Sequence, residues 1–114
     1  MQYILLIYGA EPTESVPEDQ MLAEMEGYNA FTAHLRERGA MLAGEALVPT
    51  ASATTVRVVD GRTVTTDGPF AETKEQVGGY FLVECENLDD AIDAAAKLPG
   101  AQTGSIEVRP IWEM

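Results

Sequence analysis

Apolar residues crowd the start of the chain, where QYILLIY (2–8) puts Tyr3, Leu5 and Ile7 on one face of an extended segment and Ile4, Leu6 and Tyr8 on the other. The run is short and rich in strand-forming side chains, which predicts a β-strand covered on both faces. EPTESVPEDQ (11–20) breaks the pattern, and Ser15 with Glu18 three residues on has the spacing of a capping box. From there to Arg38 the period lengthens, with Met21, Met25, Tyr28, Phe31 and Leu35 following in steps of three and four. That spacing predicts an amphipathic helix with these residues, Met21 and Met25 included, toward the core, ended by Gly39. Gly27 inside the helix costs about 1 kcal/mol against alanine.

Further on, AMLAGEAL (40–47) reads as a weaker strand closed by Pro49. TTVRVVDGRTVTT (54–66) is a hairpin, two β-rich runs around Asp60-Gly61. GGYFLVECE (78–86) is a second strand apolar on both sides, Phe81, Val83 and Cys85 against Tyr80 and Leu82. Asn87 is placed to cap a helix over LDDAIDAAAKL (88–98), which Pro99 and Gly100 stop. SIEVRPIW (105–112) alternates as a last strand, with Ile106, Val108 and Trp112 on one face and Pro110 suited to an edge or bulge. This order is that of a ferredoxin-like α+β fold, a split βαβ pattern with an antiparallel sheet, both helices on one face and an extra β-hairpin inserted. The other sheet face would be bare although its residues are apolar. A homodimer packed sheet to sheet is therefore expected.

Composition narrows the function without naming it. A chain of 114 residues makes one domain, 1–114, with room for a core. Its net charge of −12 repels phosphate backbones and anionic lipid heads, so neither nucleic acid nor a membrane surface is an expected partner. YILLIY falls far short of the roughly 20 apolar residues that span a bilayer. No export signal precedes it, and the single Cys85 has no partner for an internal disulfide. Both features point to a cytoplasmic protein.

TTVRVVDGRTVTTDGPFAETKEQVGGYFLVE, followed by LDDAIDAAAKLP and IEVRPI, resembles the YCII-related family, in its branch marked by a DGPF motif. The likeness covers nearly the whole chain. It implies the dimeric α+β barrel, no cofactor, and no established activity. It also implies a bacterial setting beside extracytoplasmic-function sigma factors, which makes a sigma factor a possible protein partner. Plain members of the family are associated with acid/base chemistry by a first-helix histidine and an aspartate. Alignment through LAGEAL puts that histidine near Gly27 or Tyr28, whereas His34, the chain's one histidine, lies about two turns later. The dyad does not carry over.

The candidate chemistry centres on TDGPFAETKE (66–75). As a rigid turn, Asp67 would accept backbone N–H bonds, Pro69 would hold Gly68 in an extended or glycine-only conformation, and Phe70 would plug an apolar gap. As a site, Asp67, Gly68, Pro69, Phe70, Glu72, Thr73, Lys74 and Glu75 would rim a small-molecule pocket. Asp67 and Lys74, or Glu24, would then be the candidates for proton transfer. Arg57, Glu107 and Arg109 lie on strands and read either as an ionic ladder or, for the two arginines, as an anion-binding pair. Glu24 lies about 40° from the centre of the helix stripe and either lines a cleft between helix and sheet or, as is commoner, snorkels outward, while His34 lies about 120° away, in solvent or at the boundary. One histidine and one cysteine support no metal site. A ligand-binding or regulatory module, a small-molecule enzyme and a sigma-factor interaction protein all fit these residues.

Overall fold

Residues 1–113 are described by the computed structural model. The chain runs β1 (Gln2–Gly9), α1 (Glu18–Glu37), β2 (Met41–Ala46), β3 (Thr54–Val59), β4 (Arg62–Asp67), β5 (Gln76–Glu84), α2 (Leu88–Ala96), α3 (Gly100–Thr103) and β6 (Ser105–Pro110). β2, β5, β1 and β6 lie side by side in that order, antiparallel throughout, while β3 and β4 form a separate two-stranded ribbon. Leaving the ribbon aside, this is the ferredoxin-like arrangement that the periodicities predict.

Register decides which residues meet. Tyr3 stands opposite Val83 and Leu5 opposite Phe81, so their side chains share the helix-facing side of the sheet and are buried there. Phe31 and Leu35 of α1 and Ala91, Ala94 and Ala95 of α2 close over them, with Phe31 edge-on to Phe81 at 4.9 Å between ring centres. The alanines let α2 approach closely. Gly27 serves a similar purpose, because a Cβ there would come within 2.7 Å of the Pro99 ring. Its helix penalty is accepted in exchange for close packing of the corner after α2. The opposite sheet face carries Ile4, Leu6, Tyr80 and Leu82, half-buried by one another and uncovered by any helix.

Several local expectations are corrected. α1 begins after Pro17 with no side-chain cap, so Ser15 and Glu18 form no capping box; Pro17 O takes the Met21 N–H, and Glu18 and Asp19 complement the helix dipole. Its other end closes as expected at Gly39, whose N–H reaches Arg36 O while Ala40 N–H reaches Leu35 O, a Schellman pattern. Met21 and Met25 are not core: they are 50% and 56% exposed, because the first half of α1 stands away from the sheet. The last strand stops at Pro110, leaving Trp112 exposed rather than on the core face with Ile106 and Val108.

A clamp ties the end of α1 to the start of α2. Asp90 accepts from the Glu86 N–H at 3.1 Å and from Arg38 at 3.0 and 3.3 Å, and Asn87 caps α2 by accepting from the Asp90 N–H at 2.9 Å. The Glu86 N–H first, and then the Arg38 guanidinium, hold the Asp90 carboxyl below its ordinary 3.8. A carboxyl lowered on folding stabilises the fold above its unfolded value and loses that contribution as pH falls through the folded one. Asp90→Asn is therefore expected to melt about 5 °C below wild type at pH 7, for a loss of about 1 kcal/mol. The difference should shrink as pH falls below 3.8. Melting curves across that range check it, and a gap independent of pH would contradict the assignment.

The ribbon gives the molecule its shape. Asp60 and Gly61 both adopt positive φ, the two-residue turn that matches strand twist, and Val56, Val58 and Val59 are all exposed. The radius of gyration is 16.1 Å, against about 13 Å for a compact chain of this length. Accessible surface is 8371 Å², against about 6,100 Å² for a compact 12.3 kDa monomer. Among the described residues no helix is long and apolar enough to cross a membrane.

Candidate functional site

The outward stance of α1 opens a cleft of about 890 Å³ between this helix and the β2–β5 end of the sheet. Two ridges of α1 line it, Met21–Met25–Asn29 and Glu24–Tyr28–Thr32–Arg36, each stepping by four residues. Such a step keeps side chains on one face, and the longer ridge runs about 18 Å from Glu24 to Arg36. Ile7, Met41, Phe81, Leu47 and Val48 supply apolar walls, and Gly100 closes one side below Tyr28. The cleft thus has greasy walls, a carboxylate near one end and a guanidinium near the other.

Tyr28 and Thr32 are the half-buried polar groups of this ridge, between exposed Glu24 and Arg36. Burial, and then the negative charge of Glu24, push the Tyr28 phenol above the ordinary value of 10.0, while the Gly100 backbone N–H pulls the other way. The hydroxyl therefore stays protonated at neutral pH, its oxygen accepting from Gly100 and its own proton available to donate to a ligand. The ion pairs among the described residues are Met1 with Glu84, Arg38 with Asp90 and Arg109 with Glu107, so Glu24, Arg36 and Lys74 are not engaged in one.

The DGPF segment builds a second hollow, of about 390 Å³, next to the first, with Glu11 and Gln76 lining both. Gly68 sits at φ +99°, a conformation reserved for glycine, its N–H on Ala53 O at 2.7 Å and its carbonyl accepting from Thr55 Oγ1 at 2.8 Å. Gln76 Nε2 holds the Ala71 and Thr73 carbonyls at 3.0 and 3.3 Å, Thr73 Oγ1 donates to Glu75 O, and Ser105 donates to Glu75 Oε1 at 3.0 Å. Glu11 grips Thr50 through both its N–H and its hydroxyl, at 2.8 and 2.9 Å. The segment is a stapled loop, and it sets Lys74, Glu72, Thr73, Gly68 and Pro69 around the hollow.

The remaining sequence candidates are dispersed. Asp67 ends β4, exposed, and lines neither hollow. Phe70 is 80% exposed and plugs no gap within the chain. Arg57 belongs to the ribbon, not to the main sheet, so the expected ladder with Glu107 and Arg109 does not form; those two pair with each other at 3.7 Å, both exposed. Such an exposed pair contributes little, typically under about 1 kcal/mol. Cys85 is buried, its thiol pushed up by burial and then by Asp90, which leaves it unreactive. His34 is exposed, 3.5 Å from Lys97 Nζ. Among the described residues no group of His, Cys, Asp or Glu is arranged to hold a metal. Tyr28, Asn29, Thr32 and Arg36 were not among the sequence candidates, although successive four-residue steps from Glu24 and Met25 would have revealed them.

A ferredoxin-like α+β domain with an open cleft under its first helix is the class that these features define. The chain belongs to the YCII-related family, whose domain model matches residues 1–114. It is similar to an uncharacterized protein of Rhizobium meliloti (strain 1021), 41% identical over 116 residues, an alignment covering 97% of this chain and 92% of the relative.

Proposed function

We propose that this YCII-related chain is a small-molecule-binding module that works as a homodimer, with its ligand in the cleft beneath α1. The observation that carries the proposal is the cleft itself: its volume of about 890 Å³ lies in the range of ligand pockets, with mostly apolar walls and a few converging polar groups. The ligand it suits has an apolar body and a polar end that meets the Glu24 carboxylate and the Tyr28 hydroxyl. Dimerisation over the outer sheet face is supported by the uncovered Ile4, Leu6, Tyr80 and Leu82 and by the excess accessible surface.

An enzymatic role is favoured by one specific observation, the neighbouring charge of Glu24 on a phenol kept protonated. A carboxylate base beside a hydroxyl donor is a workable acid/base pair. Asp67 and Lys74, the other candidates for that role, stand apart from this pair, Lys74 in the second hollow and Asp67 in neither.

Thermal-shift screening of metabolites tests the proposal. A ligand at 100 times its Kd stabilises the native state by about 2.7 kcal/mol, or about 10 °C for a chain of this size. The shift is expected in wild type and in Asp67→Asn, Lys74→Met, and is expected to be lost in a folded Glu24→Gln, Tyr28→Phe variant. Loss in the Asp67, Lys74 variant alone would move the site to the second hollow. Stabilisation of wild type by no compound would count against ligand binding and turn the search to protein partners, a sigma factor among them.

A further inference from the structure

We infer that the β3–β4 ribbon is a dimerisation arm that lies along the first half of α1 in a second copy of the chain and roofs that copy's cleft. The inference rests on the dimer proposed above and goes beyond it, since a sheet-to-sheet contact alone assigns the ribbon no role.

The ribbon is unlike a surface hairpin that belongs to its own domain. It forms its own two-stranded sheet, with no ladder to the other strands. Val56 and Val58 project from one of its faces and Val59 and Val64 from the other, all between 44% and 70% exposed. An isolated two-stranded hairpin is marginal in water and needs an apolar face packed on something. Its six-residue strands extend about 20 Å, far enough to reach across to a neighbour.

The surface balance says what that neighbour is. The protomer exposes about 2,300 Å² more than a compact monomer of 12.3 kDa would. Two protomers that each bury this excess form an interface of about 4,500 Å², within the range of obligate homodimers. A second copy supplies matching missing contacts of its own, and two-fold symmetry makes the exchange reciprocal.

Charge selects the docking surface. Two copies at −12 each repel, so they meet where one is least negative and the other most negative. Residues 54–67 carry Arg57 and Arg62 against Asp60 and Asp67 and are neutral. Residues 11–26 carry six acidic side chains and no basic one, and α1 there exposes Met21, Leu22 and Met25. A neutral apolar ribbon with two guanidiniums complements an acidic helix with an exposed apolar stripe. Since Met21 and Met25 line the cleft, an arm laid there closes it.

Sedimentation equilibrium on the full chain, with circular dichroism to confirm folding, tests this. Wild type is expected to be dimeric. V59D/V64D, on the ribbon face that carries Arg57 and Arg62, is expected to dissociate about 100-fold more readily, since two carboxylates would enter an apolar contact. R57E/R62E is expected to weaken the dimer about tenfold at low salt, and adding E18K/D19K to it should restore the affinity of wild type. A wild type that stays monomeric at every soluble concentration overturns the dimer and the arm together. A dimeric wild type with V59D/V64D equally dimeric overturns the arm and leaves the sheet-to-sheet dimer standing. Weakening by R57E/R62E with no recovery in the charge-swapped variant overturns α1 as the docking surface.

Discussion

Alanine at Gly104 is expected to lower stability by about 3 kcal/mol, the upper end of what overpacking a well-packed site costs. The reason lies in where the chain turns from α3 into β6. Gly104 donates its N–H to Gly100 O at 2.8 Å and then crosses the end of β1, where Ser105 pairs with Tyr8. A Cβ on Gly104 would overlap the Tyr8 carbonyl oxygen and come within 3.1 Å of Gly9 Cα. Those are backbone atoms of a central strand, so no rotamer change relieves the clash. Either the turn shifts or the β1–β6 ladder opens at that end. In urea the midpoint should fall by about 2 M, with the slope unchanged if the transition remains two-state. Gly78→Ala is the control, because a Cβ there meets nothing within 4 Å, and its midpoint should stay close to that of wild type. Equal midpoints for the two variants would mean that the turn does not pass over β1 as described.

The order of strands and helices was legible in the sequence because period and punctuation agree along the chain. QYILLIY, the Asp60-Gly61 turn, the Asn87 cap and the Gly39 stop each act locally, and each is found in place. What failed depends on relations between elements. The stripe from Met21 to Leu35 showed that α1 has an apolar face; it did not show that Phe31 and Leu35 meet the sheet while Met21 and Met25 lean away from it. Arg57 and Arg109 share a strand-like pattern but belong to different sheets, a matter of pairing that alternation does not encode. Phe70 illustrates a similar limit. Its neighbours in the motif are tightly stapled, yet among the described residues nothing covers the ring, so an apolar residue in a rigid turn did not imply a local socket.

The candidate site was half legible for the same reason. Glu24 was recognisable from its angle on the helical wheel, and Tyr28 as the centre of the apolar stripe. The cleft that joins them exists only because α1 stands off β2 and because the 76–79 end of β5 lies beneath it. Tyr28 also falls at or next to the position where the family resemblance places a histidine. A chain that lacks the histidine nevertheless has a protonated hydroxyl donor beside a carboxylate at that point.

The same division of α1 yields a second large effect. Leu35→Ala is expected to cost about 3 kcal/mol, since Leu35 is 0% exposed and its truncation leaves a cavity between α1 and the sheet. Against a total stability of about 5–15 kcal/mol, that loss leaves a substantially weakened fold. Met25→Ala, ten residues earlier on the same helix, removes a side chain that is 56% exposed in the single chain and should cost under about 1 kcal/mol there. Chemical denaturation at low and high protein concentration separates the two. The Leu35 cost resides within the protomer and should not change with concentration beyond the shift shared with wild type. If a second copy covers α1, the Met25 cost should rise toward that of Leu35 as the dimer fills, because the thioether is then buried against the partner. A Met25 cost that stays small at every concentration would mean that the first half of α1 remains open to solvent in the assembled protein. The cleft beneath it would then have to be closed by its ligand alone.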